Sequence, residues 1–326
     1  MSLTTAATRA SVGRLAPSPT GALHLGHART FLLAWWHARS RGGRIVLRME
    51  DLDAPRHVPG AADAILRDLE WLGLDWDGEP LLQSSRLAEH RAVLSDLVAR
   101  GLAYPCVCTR GDVLRAQGAP QAGVAELRYP GTCRGRFGSV EEAERISGKP
   151  PALRFVVPLT PMRLVDSFAP EITVDVAEEV GDFVIGRKGL VPSYQLAVVL
   201  DDAAQGVTEI VRGDDLLAST ARQRLLQDAL GVPFPRTWHV PLVVDETGRR
   251  LAKRSNDVSL AELRSRGVSA EAIVGWAART SGIDGVKSAT PAEICGEFAL
   301  SRVPHAPVVV RVTKTEDPFH VFVDPV

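Results

Sequence analysis

The sequence predicts an α/β protein with a doubly wound parallel sheet that is interrupted by an inserted α+β subdomain. Over about the first hundred residues, strand-like and helix-like segments alternate, which is typical of parallel strands joined by helical crossovers. From about residue 104 to residue 188 the alternation stops, in a stretch that holds three of the four cysteines. It returns at about residue 194. The chain has 326 residues, which is long enough for about two domains.

Apolar spacing locates the individual elements. In the first part it predicts strands at 12–16 and 44–49 and helices at 24–41, 59–72 and 86–102. In the insertion it predicts strands at 153–157 and 172–176. After the insertion it predicts helices at 218–230, 260–266 and 270–280, a strand at 237–244 and a terminal hairpin at 308–312 and 320–323. These elements divide the chain into a first α/β half at 1–103, an insertion at 104–190, a second α/β half at 191–245 and a C-terminal helical region with a tail at 246–326.

Charge and composition narrow the class of protein. The chain has 38 basic and 39 acidic residues, a net charge of −1, so a nucleic-acid partner would need a local basic surface. Four cysteines do not make a secreted disulfide framework. We find no signal-peptide pattern and no run approaching the ~20 apolar residues of a membrane span. A cytoplasmic enzyme without membrane contact is therefore expected, and since nothing indicates an obligate partner, we expect a monomer.

The most informative local pattern is the segment 17–27, which lies between the first predicted strand and the first predicted helix. It ends in His24-Leu25-Gly26-His27. Backbone N–H groups and the helix dipole favour an anion at such a position, both histidines can reach a phosphate, and Gly26 leaves room for a nucleotide near the backbone. An isolated pair of this kind is more often two polar residues at a helix end, so the strand–turn–helix context carries the interpretation.

A second pattern is a cationic loop at 248–255, after the strand that ends near residue 244. Its Lys253 is suited to a pyrophosphate leaving group, whose charge grows in the transition state. A basic run on its own is usually a solvated surface. The loop therefore indicates a pyrophosphate contact only in combination with the histidine motif.

Three of the four cysteines form a third pattern. Cys106 and Cys108, followed by Cys133, supply three thiolates, which are ligands that Zn²⁺ prefers in tetrahedral geometry. No histidine lies in this segment, so the fourth ligand stays open, with water or Cys295 as alternatives. Three buried free cysteines are the competing interpretation. Cys295 lies far along the chain and has the pattern of an ordinary core residue.

Together these motifs resemble the signature pair of class I aminoacyl-tRNA synthetases. Further segments resemble the glutamyl branch in its expected order: 14–21, 48–53, 194–197 leading to 201–202, and 211–213. The likeness covers about residues 12–280. Full glutamyl-tRNA synthetases carry a helical anticodon-binding region after the lysine loop, whereas about 70 residues follow Arg254 here. In this respect the chain resembles the glutamyl-Q tRNA(Asp) synthetase family, which attaches glutamate to the queuosine base at the wobble position of tRNA(Asp).

This resemblance implies a Rossmann-like catalytic domain, a zinc-containing insertion and a short C-terminal region that contacts the anticodon stem. The implied substrates are L-glutamate, ATP with Mg²⁺ and tRNA(Asp) carrying queuosine. The alternatives are a shortened synthetase that charges tRNA(Glu) on its terminal ribose, and a synthetase-derived module that binds RNA without catalysis. Only the missing anticodon region argues against the first alternative, and the intact histidine motif and Lys253 argue against the second.

The resemblance also implies a role for individual residues. Arg14, Tyr194 and Arg212 would hold the side-chain carboxylate of glutamate, while Ser18, Glu50 and the backbone of Ala16 would contact its α-ammonium end. The remaining implied residues fall into two groups: His24, Gly26, His27, Arg250 and Lys253 for ATP, with His24, His27 and Lys253 as the catalytic groups, and Cys106, Cys108, Tyr129 and Cys133 for zinc. Two residues depart from the usual loop signature, since Arg250 stands in place of a lysine and Ala252 in place of a serine.

Overall fold

Parallel strands and crossover helices form the N-terminal part of the protein. The computed structural model describes residues 11–116, 127–251 and 259–311. The elements of the first part are β1 (Val12–Leu15), α1 (Leu25–Arg39), β2 (Arg44–Met49), α2 (Ala61–Trp71), β3 (Leu81–Leu82) and α3 (Leu87–Ala99). The strands form a parallel sheet in the order β1-β2-β3. All five elements predicted here are confirmed, with ends that differ by at most three residues, whereas the two-residue strand β3 was not predicted.

The insertion has the predicted α+β character, with antiparallel strands. Its elements are β4 (Ala103–Cys106), α4 (Arg110–Ala116), α5 (Val140–Ser147), β5 (Ala152–Phe155), β6 (Met162–Leu164), β7 (Ile172–Val174), α6 (Val176–Glu179), β8 (Val184–Arg187) and β9 (Val191–Pro192). One antiparallel sheet has the order β4-β5-β8-β9, and β6 pairs with β7. The strand predicted at 172–176 stops early because the Asp175 side chain accepts from the backbone N–H of Glu178 and caps α6.

The second α/β part returns to parallel pairing. It consists of α7 (Tyr194–Ala204), β10 (Glu209–Gly213), α8 (Leu217–Leu230), β11 (Arg236–Val240) and β12 (Val243–Asp245). Strands β10 and β11 are parallel. The backbone N–H of Val12 donates to Thr208 Oγ1, and the backbone N–H of Thr208 donates to the Val12 carbonyl, both at 2.9 Å. The start of β10 therefore lies beside the start of β1.

Two sequence predictions for this part need correction. The sequence pattern missed β10, which follows a turn at Gly206 with a positive φ of 66°. The single strand predicted at 237–244 is two strands, because Pro241 lies between them and has no N–H for a strand ladder.

The C-terminal elements pack into the same core as α1. They are α9 (Leu260–Ser265), α10 (Ala270–Arg279), α11 (Pro291–Cys295) and β13 (Val308–Val310). The fully buried Arg29 of α1 donates from Nη1 to the Pro241 carbonyl and from Nη2 to the Thr280 carbonyl, and the Trp36 indole donates to the Pro291 carbonyl. β13 pairs in parallel with β12, a pairing that the sequence pattern did not predict. The second strand of the predicted terminal hairpin, 320–323, lies outside the described residues. Within the described ranges, no helix has the length and apolar character needed to cross a bilayer.

Candidate active site

A cavity of about 540 Å³ opens at the carboxyl ends of β1, β2 and β10, the edge of a parallel α/β sheet where ligands bind. Ten of the residues implicated by the sequence line it: Arg14, Ala16, Ser18, His24, Gly26, His27, Glu50, Tyr194, Arg212 and Arg250. These residues come from five separate stretches of the chain, and the fold brings them to one place. Lys253 lies outside the described residues.

The two histidines of the motif are fixed at the start of α1 by the backbone. His24 Nδ1 accepts from the N–H of Gly26 at 3.1 Å, and His27 Nδ1 accepts from the N–H of His24 at 3.3 Å. Their rings stack with centroids 3.7 Å apart. Because each Nδ1 is an acceptor, the proton of each neutral ring is on Nε2. The pair therefore presents N–H donors at a helix N-terminus, an arrangement suited to phosphate oxygens.

Gly26 leaves space for the His24 ring as well as for a ligand. A Cβ at this position would lie 3.0 Å from Cε1 and 3.1 Å from Nδ1 of His24, which is tighter than most Cβ contacts and requires the ring to move by a few tenths of an ångström. A side chain at position 26 would therefore push the His24 ring away from the backbone N–H that donates to its Nδ1.

We expect Gly26→Ala to weaken ATP binding by about tenfold, because the displaced His24 loses its charge-assisted contact with phosphate. The dissociation constant of a non-hydrolysable ATP analogue measures this effect. Gly296→Ala is the matched control, since Gly296 has a helical φ of −71° and a Cβ there meets nothing within 4 Å. Equal ATP affinity in the two variants would contradict the proposed role of the His24 ring.

The flanks of the cationic loop lie beside the histidine motif. Residues 252–258 are outside the described residues, but the backbone N–H of Leu260 donates to the Leu23 carbonyl at 2.9 Å, and Ser259 bridges to His24. On the other side of the loop, Arg250 lines the cavity and forms an ion pair with Asp215. Both ends of the loop are thus anchored at the mouth of the cavity.

Arg212 supplies a buried cation to the cavity. Arg212 is only 4% exposed to solvent. Its Nε donates to His239 Nε2 at 2.9 Å, and its Nη2 donates to Thr220 Oγ1 at 2.8 Å and to Gln223 Oε1 at 2.9 Å. Within the described part of the chain, Nη1 has no hydrogen-bond partner. Since a buried guanidinium donor needs an acceptor, the cavity beside Arg212 is suited to a carboxylate.

A second group of charges, around Asp202, also lies at the cavity. Asp202 accepts from Arg48 Nη1 at 2.7 Å and pairs with Arg14 Nε at 3.3 Å. Arg48 Nη2 also donates to Glu50 at 3.2 Å. Burial raises the pKa of Glu50 above its ordinary value, against the opposing effect of Arg48 and Arg14. Glu50 is therefore a largely buried acceptor that Arg48 holds in place.

The cysteine cluster lies in the insertion, away from this cavity. The Sγ atoms of Cys106, Cys108 and Cys133 all lie within 4.8 Å of one another, and the Tyr129 hydroxyl lies 3.3 Å from Cys106 Sγ and 3.7 Å from Cys108 Sγ. A tetrahedral zinc ion with Zn–S distances of about 2.3 Å has sulfur ligands about 3.8 Å apart. The described residues therefore fit a metal ion. Cys295 is in α11 and is not part of the cluster, so it is excluded as the fourth ligand.

The comparisons with known proteins agree with this geometry. The model of the family "tRNA synthetases class I (E and Q), catalytic domain" matches residues 11–302. A glutamyl-Q tRNA(Asp) synthetase from Symbiobacterium thermophilum is 46% identical over 307 residues, which cover 91% of this chain and 94% of that protein. One from Deinococcus radiodurans is 48% identical over 260 residues, which cover 78% of this chain and 83% of that protein. The chain belongs to the glutamyl-Q tRNA(Asp) synthetase family.

A solved structure from the same branch has a similar fold. The glutamate tRNA ligase from Elizabethkingia meningosepticum, determined in complex with its amino acid, has a TM-score of 0.79 and 26% identity. The match covers 93% of this member of the glutamyl-Q tRNA(Asp) synthetase family and 68% of that ligase. The mixed α/β fold with a parallel sheet is therefore that of a class I synthetase catalytic domain.

The sequence patterns did not identify the residues that support Arg212 in this family member, either by a direct hydrogen bond or through His239. Asp166, Thr220, Gln223 and His239 are buried or half-buried and belong to no motif quoted above. Asp166 lies between β6 and β7, 73 residues before His239. The one available signal was a histidine inside the predicted strand at 237–244, and it does not reveal its partners.

Proposed function

We propose that the chain activates L-glutamate with ATP and transfers the glutamyl group to queuosine in tRNA(Asp). The observation that carries the activation step is that one cavity is lined both by the unsatisfied Arg212 donor and by the stacked histidine pair. The acceptor follows from the family, whose members are named glutamyl-Q tRNA(Asp) synthetases.

In this proposal the amino acid lies along the floor of the cavity. Arg212, Arg14 and Tyr194 bind the side-chain carboxylate, while Glu50, Ser18 and the Ala16 backbone bind the α-ammonium group. A guanidinium fork matches a carboxylate in geometry as well as charge. Glutamine has no side-chain charge, so it would leave the buried Arg212 cation without a counter-ion, which is the kind of mismatch that yields strong discrimination.

ATP occupies the part of the cavity beside the histidines in this proposal. The Nε2–H groups of His24 and His27 and the N-terminus of α1 bind its phosphates, and Arg250 and Lys253 bind the pyrophosphate portion. Mg²⁺ enters with ATP as part of the substrate. The α-carboxylate of glutamate attacks the α-phosphorus in line, glutamyl-adenylate forms and pyrophosphate leaves. Positioning and cations around the phosphates supply most of the acceleration.

Transfer completes the reaction. A hydroxyl of the queuosine cyclopentenediol attacks the activated carbonyl, and AMP leaves. The anticodon stem enters the mouth of the cavity, and the C-terminal helices contact that stem. We infer that the reaction takes place in the cytoplasm, where tRNA is found.

A comparison of two matched tRNA(Asp) preparations tests this proposal. We expect labelled glutamate to be transferred to tRNA(Asp) that carries queuosine and to be absent from the same tRNA without queuosine and from tRNA(Glu). Loading of tRNA(Glu), or of tRNA(Asp) without queuosine, would contradict the proposed acceptor and favour transfer to a terminal ribose.

We also propose that the cysteine cluster holds a structural zinc ion, with Cys106, Cys108, Cys133 and the Tyr129 oxygen as ligands. Burial raises the pKa of the Cys108 thiol to about 12, and a bound cation supplies the charge that stabilises the thiolate. When bound, zinc crosslinks the start of α4 to the loop before α5. It takes no part in the chemical steps.

Metal analysis of two cysteine variants tests the zinc site. We expect about one zinc ion per chain in the unaltered protein and in Cys295→Ser, and a strongly reduced content in Cys133→Ser, because a hydroxyl is a poor replacement for a thiolate. Elemental mass spectrometry after dialysis gives the ratio. Equal zinc content in the two variants would exclude the cluster as the metal site.

A further inference from the structure

Asp166, His239 and Arg212 form a chain of hydrogen bonds in which the direction of each bond is defined. Asp166 Oδ2 accepts from His239 Nδ1 at 2.6 Å, and His239 Nε2 accepts from Arg212 Nε at 2.9 Å. A histidine that donates from Nδ1 to a carboxylate has its lone pair on Nε2. His239 can therefore accept from Arg212 only in this neutral tautomer.

The surroundings hold His239 in that form. Burial and the nearby Arg212 and Arg14 cations lower the pKa of His239, against the opposing effect of Asp166. Asp214 faces the same ring from the end of β10, and the Thr220 hydroxyl lies 3.1 Å from Nε2. Hydrogen bonds donated to Asp166 outweigh its burial and hold its pKa well below the usual range. Asp166 is therefore an anion, and the ring is neutral at physiological pH.

Asp166 is in turn held by the backbone. Its Oδ1 accepts from the N–H groups of Phe168, Ala169 and His239 at 2.8–3.1 Å, so one oxygen anchors the β6–β7 connection and the other faces the His239 ring. The insertion is thereby connected to the proposed glutamate site by hydrogen bonds between three side chains, those of Asp166, His239 and Arg212.

We propose that Asp166 and His239 are positioning residues for glutamate recognition, which orient the Arg212 guanidinium so that its Nη1 faces the side-chain carboxylate of the substrate. This inference rests on the proposed function and deepens it. Neither residue touches the substrate. Asp166 selects the tautomer of His239, and His239 fixes the orientation of the Arg212 guanidinium plane by accepting from its Nε–H, while Thr220 and Gln223 fix Nη2.

The Asp166→Asn variant tests the tautomer directly. The three N–H groups around Oδ1 keep the amide oxygen of the new side chain at that position, so its NH₂ group points at His239 Nδ1. The ring then accepts at Nδ1 and carries its proton on Nε2, which faces the Arg212 Nε–H donor. We expect the dissociation constant for L-glutamate to rise by about tenfold to a hundredfold, with the affinity for an ATP analogue unchanged.

The second variant, His239→Gln, separates positioning from simple structural support. Its amide oxygen accepts from Arg212 regardless of what Asp166 donates, so we expect the glutamate affinity to fall by less than in Asp166→Asn. In the double variant, Asp166→Asn adds little further loss, because no tautomer remains to be selected. Glu209→Gln is the matched control, since Glu209 accepts from Trp238 at 2.8 Å and pairs with His37 on the opposite face of β10 from Arg212.

Calorimetric titration with L-glutamate decides between the outcomes. A loss of glutamate affinity in the single variant Asp166→Asn, with the glutamate affinity of Glu209→Gln unchanged, supports the positioning role. Equal glutamate affinity in Asp166→Asn and the unaltered chain, or additive losses in the double variant, would overturn it. Glutamate binding without transfer to queuosine would overturn the proposed acceptor only, whereas no glutamate binding by the unaltered chain would overturn both proposals.

Discussion

Arg212→Ala is expected to remove most of the glutamate-dependent activity while ATP affinity stays within about twofold of the unaltered chain. The substitution leaves the substrate carboxylate in a buried space without its cation, and truncating one partner of such a pair costs about 2–5 kcal/mol. This corresponds to a loss of affinity of roughly thirtyfold to several thousandfold. Glutamate-dependent pyrophosphate exchange and ATP-analogue binding measure the two effects separately.

Arg212→Lys distinguishes charge from geometry at this position. A lysine retains the charge, but its single ammonium nitrogen cannot reproduce the contacts that Arg212 makes from three separate nitrogens, so its recovery of glutamate affinity is expected to be partial. Arg224→Ala is the surface control, because Arg224 pairs with Asp228 on the exposed side of α8. An equal loss of glutamate and ATP affinity in Arg212→Ala would indicate misfolding and contradict a specific role for this residue in glutamate binding.

The largest expected effect on stability comes from Asp202→Ala. Asp202 is 3% exposed and is shared by the buried Arg14 and Arg48. Its removal leaves the buried Arg14 and Arg48 cations without the carboxylate that they share, and breaking a buried ion pair in this way costs about 3–5 kcal/mol. We expect the free energy of unfolding, measured by urea titration with tryptophan fluorescence, to fall by that amount.

Asp228→Ala provides the comparison for this stability effect. Asp228 pairs with Arg224 one helical turn away on an exposed face, where such pairs contribute about 0.2–1 kcal/mol. A loss of similar size in Asp202→Ala and Asp228→Ala would mean that Asp202 does not hold the buried arginines in place.

The residues that touch the cavity could be predicted from the sequence because they lie in short motifs. The histidine motif, Arg14, Glu50, Tyr194 and Arg212 each belong to a local segment with its own pattern, and the fold brings all of them to one sheet edge. The histidine motif was located from its own local chemistry, whereas Arg14, Glu50, Tyr194 and Arg212 were located through the resemblance to the glutamyl branch. Their common location agrees with the general position of α/β ligand sites.

The supporting residues could not be predicted because their contacts are long-range. Asp166 belongs to the insertion and His239 to β11, and nothing in the sequence spacing connects them with Arg212. The same holds for the buried pairing of Asp202 with Arg48, which are 154 residues apart. Interpretation of Gly26 was incomplete for a related reason, since the ring that fills the space beside it folds back from His24.

Single residues set the ends of some strands and helices, and their local effect is easily overlooked in the apolar spacing of the sequence. Pro241 divides a predicted strand into β11 and β12, and its freed carbonyl accepts from the buried Arg29. Pairing of β13 with β12 required knowledge of how the C-terminal helices pack on α1, which periodicity does not supply.

The most direct test is the exchange of labelled pyrophosphate into ATP by the unaltered chain, with L-glutamate, L-glutamine or L-aspartate, each in the presence and absence of tRNA(Asp). Because we propose that the Arg212 donor binds the side-chain carboxylate of glutamate, exchange is expected with L-glutamate and not with the other two amino acids. Equal exchange with L-glutamine, or no exchange with L-glutamate in either condition, would contradict the assignment of this cavity to glutamate activation.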